Sequence, residues 1–298
     1  MAMRNVGITV LARPALGNQR RRVIVDVVWY VMLCAMAALF FFPFFWTIAS
    51  SLKDVTELYL FPPAILPAVP QWGNYARVLE KVPFLGWTWN SLYVVVMSTA
   101  GTLLSASFAA YAFARFQFRG RDLIFIITLG TMMLPAQVTL IPQFVLFHQL
   151  GWINTLKPLW VPSWFGGGAF AIFLLRQFVL SLPRELDEAA IIDGASYFHI
   201  FWSILMPLCK PTLATLAVIT FIGRWSDFVE PLIYLNSPEM FTLAVGLNFF
   251  KSVPEQAGLP MEHLLMAASV MTTVPLIVQF FAAQRYFVQG IVLTGIKG

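Results

Sequence analysis

Residues 185–211 read ELDEAAIIDGASYFHIFWSILMPLCKP, and this stretch decides how the chain is built. It is too polar to cross a bilayer and too apolar to be a free linker. Ser181 stands where a helix N-cap is expected, and Pro183 suits a first helical turn. Glu185, Asp187 and Glu188 favour the positive end of the helix dipole. Leu186, Ala189, Ala190 and Asp193 fall near one face, and Gly194 then stops the helix as a C-terminal glycine does. Tyr197, Phe198, Phe201, Trp202 and Leu205 form an aromatic stripe on a second short helix, ended by Pro207 and Pro211. The predicted product is a short helix–turn–helix lying across one face of a membrane.

Working outward, apolar runs lie on both sides. The 298 residues are 59% hydrophobic and 11% charged, with a mean hydropathy of +0.77. A soluble domain is about 25% charged, so lipid must be much of this protein's solvent. Runs at 27–48, 87–114, 123–147, 159–180, 212–235 and 263–287 each reach the ~20 residues needed to span the hydrocarbon core. The first follows a basic stretch, but it is too long, too rich in Phe and too poor in small residues for a cleaved signal peptide. It reads as an uncleaved span, bent at Pro43. The proline-rich stretch 51–83 is an extramembrane loop with a short amphipathic helix near 75–79. Pro135 and Pro142 interrupt the third run, and Gly166-Gly167-Gly168 in the fourth allow a break or a close helix contact.

Six crossings place both termini on one side. Thirteen of the nineteen Lys and Arg residues lie on that side: Arg4, Arg13, Arg20, Arg21, Arg22, Arg115, Arg119, Arg121, Arg176, Arg184, Lys210, Arg285 and Lys297. Lys53, Arg77, Lys81, Lys157 and Lys251 lie opposite. Basic residues mark the cytoplasmic side, so both termini are expected in the cytoplasm. The expected fold is all-α integral membrane, with six transmembrane helices and the helix–turn–helix between the fourth and fifth.

Several function classes drop out. No basic face with interleaved aromatics exists for nucleic acid. Cys34 and Cys209 lack metal or disulfide spacing, and His148, His199 and His263 are isolated from one another. There is no GxxxxGK[ST] phosphate loop and no HExxH or GxSxG motif. Arg224, Asp227 and Glu230 in the fifth run form the second functional candidate. Spacings of three put them within about 120° of one helical face. Arg224, twelve residues past Thr212, lies roughly 18 Å along the helix. Charges in a span are costly and face a bundle interior, a partner or water. A cavity lining or outer gate and a structural ion-pair set against a partner subunit are both open readings. Trp160, Trp164, Trp202 and Trp225 have stacking on sugar rings as one reading and bilayer-interface anchoring as the other.

The pattern of Glu188-Ala189-Ala190, Gly194, Ile204 and Pro207 resembles the signature loop of importer-type ABC permeases. The usual Leu-Pro ending is Met206-Pro207 here, which keeps volume and apolar character. Phe173 to Phe178, Leu182 to Leu186, Trp225-Ser226-Asp227-Phe228, Tyr234-Leu235-Asn236, Phe241-Thr242-Leu243 and Gln284 to Phe287 resemble the carbohydrate-uptake branch, in particular the shorter six-helix subunit of maltose-type importers. Ser226 departs from the Asn usual after that tryptophan.

The resemblance implies a division into a basic tail (1–26), a first span with an external loop (27–86), a type-1 permease domain (87–287, coupling loop 182–210) and a C-terminal tail (288–298). It implies a homologous permease subunit, two cytoplasmic ATPase subunits that bind ATP and Mg²⁺, an extracytoplasmic solute-binding protein and a prokaryotic inner-membrane location. The permease itself would hold no cofactor and catalyse no reaction. The implied cargo is a sugar or oligosaccharide, with a polyol phosphate such as glycerol 3-phosphate as the alternative. An intramembrane lipid-modifying enzyme would need a His, Asp or Glu cluster with a nucleophile, and an ion-coupled carrier would show an inverted repeat.

Overall fold

The computed structural model describes residues 16–250 and 261–295; the first fifteen residues, the prolines 254 and 260 and Lys251 of the last loop, and Lys297 lie outside the described residues. Every regular element among the described residues is helical, with short 3-10 and π segments between some of the α-helices. In chain order these are α1 (Leu16–Ser51), α2 (Gly73–Lys81), α3 (Phe84–Arg115), α4 (Arg121–Gly130), α5 (Ala136–Gln149), α6 (Lys157–Trp160), α7 (Ala169–Ser181), α8 (Glu185–Ile192), α9 (Tyr197–His199), α10 (Met206–Leu208), α11 (Lys210–Trp225), α12 (Val229–Tyr234), α13 (Leu243–Phe250) and α14 (Glu262–Gly295). Helix α1 begins eleven residues before the apolar run that announces it, and α14 continues beyond residue 287 to Gly295.

Four stretches are long and apolar enough to cross a membrane: Val23–Ser51, Phe84–Arg115, Lys157–Ser181 and Glu262–Gln284. Two helix pairs qualify only when each is taken as one bent span. Arg121–Met133 meets Ala136–Gln149 at 100°, and Tyr197–Leu208 meets Lys210–Trp225 at 75°. The first bend has a local cause. Leu134 precedes a proline, is pushed out of the helical region to ψ 121°, and Pro135 then opens α5. Pro142 lies within α5 without ending it. Helix α1 likewise runs through Pro43, where the Thr47 hydroxyl donates to the Pro43 carbonyl at 2.9 Å.

The three glycines do both things expected of them. Their φ values of 109°, 64° and 87° break the fourth span ahead of α7. A Cβ on Gly167 would also fall 2.6 Å from the Thr102 carbonyl, so α3 and this turn touch backbone to backbone.

Helix α3 is the central post, packed on α6, α7 and α11, while α14 packs on α1, α2 and α11. In lipid, helices gain little from burying apolar surface and associate through close packing and interhelical hydrogen bonds. Ser91, Ser98 and Ser105 recur every seven residues along α3 and supply both. Ser98 donates to the Leu159 carbonyl (3.1 Å), Ser105 to the Ser163 carbonyl (3.0 Å), and Ser91 accepts from the Leu243 amide (2.8 Å). Towards the N-terminal end of α3, Trp87 is fully buried and its indole donates to the Pro238 carbonyl at 2.7 Å. Towards the other end, Tyr111 packs with Ala190, Ile200, Phe201 and Leu205 of the 185–208 segment.

Candidate functional site

The 185–208 segment is the expected hairpin, with one correction to its start. Ser181 does not cap α8. It ends α7, and its hydroxyl donates to the Phe178 carbonyl at 2.6 Å. Leu182 is extended because Pro183 follows, and α8 opens after Arg184 with no side-chain cap. Glu185, Asp187 and Glu188 fill its first turn. Gly194 adopts φ 82° and closes the helix; its amide reaches the Ile191 carbonyl (3.0 Å) while that of Ala195 reaches Ala190 (2.9 Å). Ser196, missed in the sequence, is the true N-cap of the second limb, its Oγ accepting from the His199 amide at 3.3 Å. The limb then loosens into a π-type stretch, Ile200–Leu205, before α10.

Of the signature residues, Ala190 is buried and Ile204 half-buried, whereas Glu188, Ala189, Gly194 and Pro207 are exposed. The aromatic stripe divides between two faces. Phe201 and Leu205 face the bundle, while Tyr197, Phe198 and Trp202 remain exposed. Ala190, Asp193, Gly194, His199 and Ile204 rim a cavity of about 540 Å³ at the hairpin.

The charged trio is brought together, but not on one helix. Helix α11 ends at Trp225, Asp227 lies in the break, and Glu230 sits in the first turn of α12. The reason is Pro231. It has no amide hydrogen for the carbonyl of residue 227, and its ring would strike that carbonyl in a continuous helix. Across the break Arg224 Nη1 lies 2.7 Å from Glu230 Oε2 and 3.4 Å from Asp227 Oδ2, and Asp227 Oδ1 accepts from the Glu230 amide at 3.4 Å. Arg224 thus has two ion partners within its own chain. Arg224 and Glu230 border two cavities. One, of about 380 Å³, also takes in Gln143, Trp152, Phe165 and Tyr234. The other, of about 340 Å³, takes in Thr102, Gly167 and Thr220.

Two of the tryptophans considered as sugar platforms are occupied within the bundle. Trp225 is buried, stacked on Phe221 and bonded to the Thr272 carbonyl (3.2 Å), and Trp160 meets Tyr93 edge-on. A residue that the sequence reading passed over is Asn154, at φ 59°. Its Oδ1 accepts from the amides of Asn236 and Ser237 at 3.0 Å each, and its Nδ2 donates to Ser237 Oγ at 2.8 Å. It ties the α5–α6 turn to the chain leaving α12. The only sequence signal for it is the residue type, since Asn is one of the few non-glycine residues that visit the left-handed region.

The chain is thus a bundle of membrane-length apolar helices, with a hairpin at one end and a charged seam between two cavities. The chain belongs to the family described as binding-protein-dependent transport system inner membrane component, whose model matches residues 101–293. It is similar to the arabinooligosaccharides transport system permease protein AraQ of Halalkalibacterium halodurans, at 34% identity over 86% of this chain and 91% of that one. It is also similar to the sn-glycerol-3-phosphate transport system permease protein UgpE of Yersinia enterocolitica, at 32% identity over 90% and 96%. Among solved structures, a chain of a bacterial ABC transporter involved in the import of the acidic polysaccharide alginate superimposes with a TM-score of 0.80, at 27% identity, covering 90% of this chain and 98% of that chain. The chain is therefore an ABC importer permease subunit in a multi-pass membrane fold.

Proposed function

We propose that this chain forms half of the translocation pathway of a prokaryotic inner-membrane importer for a neutral oligosaccharide. The bent pair Arg121–Gln149 counts as one span and α11 with α12 as another, giving six crossings with both termini in the cytoplasm. A homologous permease supplies the other half of the pathway, and an extracytoplasmic binding protein delivers the solute. Two cytoplasmic ATPases bind ATP and Mg²⁺, and one of them docks on the 185–208 hairpin around Glu188 and Gly194. Closure of the ATPases moves the hairpin as a lever and switches the bundle between inward- and outward-facing states.

The observation that carries the choice of cargo is the seam between the cavities. Arg224 is held by two carboxylates, which leaves the trio one formal negative charge in excess. Among the described residues lining these cavities, a phosphate meets the acids and no cation free of them, whereas uncharged sugar hydroxyls can both donate and accept there. The relative that transports sn-glycerol 3-phosphate keeps that reading in play, and one experiment separates the two. The complex, reconstituted with its own binding protein, is given an arabinooligosaccharide, an alginate oligosaccharide or sn-glycerol 3-phosphate. Stimulation of ATP hydrolysis by the neutral sugar alone is expected. Stimulation by glycerol 3-phosphate alone would replace the proposed cargo.

A further inference from the structure

We infer that Arg115 is the positioning residue that fastens the hairpin to α3, so that the two move as one body. The inference rests on the reading of the hairpin as the ATPase dock.

Arg115 is the last residue of α3, and its side chain is only 6% exposed. Its Nε lies 2.7 Å from Asp187 Oδ2 on α8, a charge contact whose N–H is not aimed at the oxygen. Its Nη2 donates to the carbonyls of Leu182 (3.1 Å) and Pro183 (3.4 Å), in the link between α7 and α8. One planar guanidinium thus holds α3, the link and α8, which an ammonium cannot do with the same geometry. A second line of contact reaches the other limb. Phe108 stacks on Phe201 with ring centres 4.5 Å apart, Tyr111 lies 5.5 Å from Phe201, and Phe116 meets Tyr197 at 5.1 Å. With both limbs held, the hairpin cannot tilt about either one without breaking a contact to α3.

The ion pair is poorly suited to a purely stabilising role. Burial pushes the Asp187 carboxyl above the usual carboxylate range, outweighing the pull of Arg115 and Arg184, and its buried Oδ1 has no donor. A buried pair of this kind is often no more stabilising than two apolar side chains of similar size. What it adds over them is a fixed geometry at the joint.

The test uses the intact complex in liposomes, with melting temperature and binding-protein-stimulated ATP hydrolysis measured at matched assembly. Arg115→Met and Asp187→Leu each leave one buried group unpaired and should lower both readouts. The double variant, which strands no charge but still lacks the donor to Leu182 and Pro183, should recover most of the melting temperature lost in the single variants yet remain at least about fivefold below wild type in stimulation, the low end of allosteric coupling energies. Arg115→Lys, which keeps the charge and the fold, should also lose stimulation. A purely structural role predicts that both readouts recover together in the double variant. That result, or wild-type stimulation in Arg115→Lys, would overturn the inference. A cysteine at Ile192 that forms no cross-link to either ATPase in the otherwise unmodified complex would overturn the docking reading, and this inference with it.

Discussion

Gly194 and Gly167 both have positive φ, but the structure needs each for a different reason. At Gly194 a Cβ would enter open space, so the constraint is only the backbone angle of 82°. Asn tolerates that region, while a β-branched residue does not. Gly194→Asn should therefore couple ATP hydrolysis to transport nearly as the wild type does, and Gly194→Val should lose coupling while still inserting. At Gly167 the angle and the space are both closed, since any Cβ meets the α3 backbone at Thr102. Even Gly167→Ala should lower the yield of folded protein, read as monodisperse material in detergent. Asn154 offers the complementary comparison. Asn154→Ala loses the clamp on residues 236–237 and keeps the left-handed backbone, whereas Asn154→Gly loses the clamp and relieves the backbone. The alanine variant should be the less stable of the two by about 1 kcal/mol, the cost of a left-handed non-glycine residue; equal melting behaviour would contradict that assignment of strain.

Helix α11 and its continuation α12 show what an element's sequence reveals and what it hides. The apolar run and the three charges as one set were legible, because periodicity and the cost of buried charge act on the residues themselves. The break was not, because Pro231 acts on a carbonyl four residues back, and a proline in a span is tolerated as often as it interrupts. Pro135 breaks its span, and Pro142 and Pro43 do not. The hairpin was legible down to the residue that turns it, since Gly194 announces a left-handed end. Its cap was misassigned because Ser181 and Ser196 are alike as residue types, and only the packing of α7 decides between them. Arg115 read as one more topology-setting cation, since nothing in the sequence tells which distant carboxylate a basic residue will meet. The broken span also yields a prediction. Removing Arg224 alone, as Arg224→Met, leaves two carboxylates facing each other and should impair assembly. Arg224→Met with Glu230→Gln removes one of those charges and should assemble better than the single variant, as judged by the amount of intact complex recovered. Equal losses in the two variants would point instead to a direct role of Arg224 in transport.

At the scale of the whole molecule, the hairpin and the 51–83 loop should emerge on opposite sides of the membrane. Val69 and Ile192 are exposed at 64% and 85%. In a background lacking Cys34 and Cys209, a cysteine at Val69 should react with an impermeant maleimide only from outside, and one at Ile192 only from the cytoplasm. Labelling of both from the same side would break the six-span arrangement. Helix α1 carries a different kind of consequence. None of the most apolar window of Val23–Ser51 is buried, and the helix packs chiefly on α14. The ribosome makes α1 well before α14. Between Ser51 and Glu262 lie 210 residues of synthesis, which take about 10–40 s at ordinary elongation rates. For that interval α1 sits in the bilayer without the helix it will lean on, so the nascent chain depends on lipid, on a waiting partner or on an insertase to keep its first span in place.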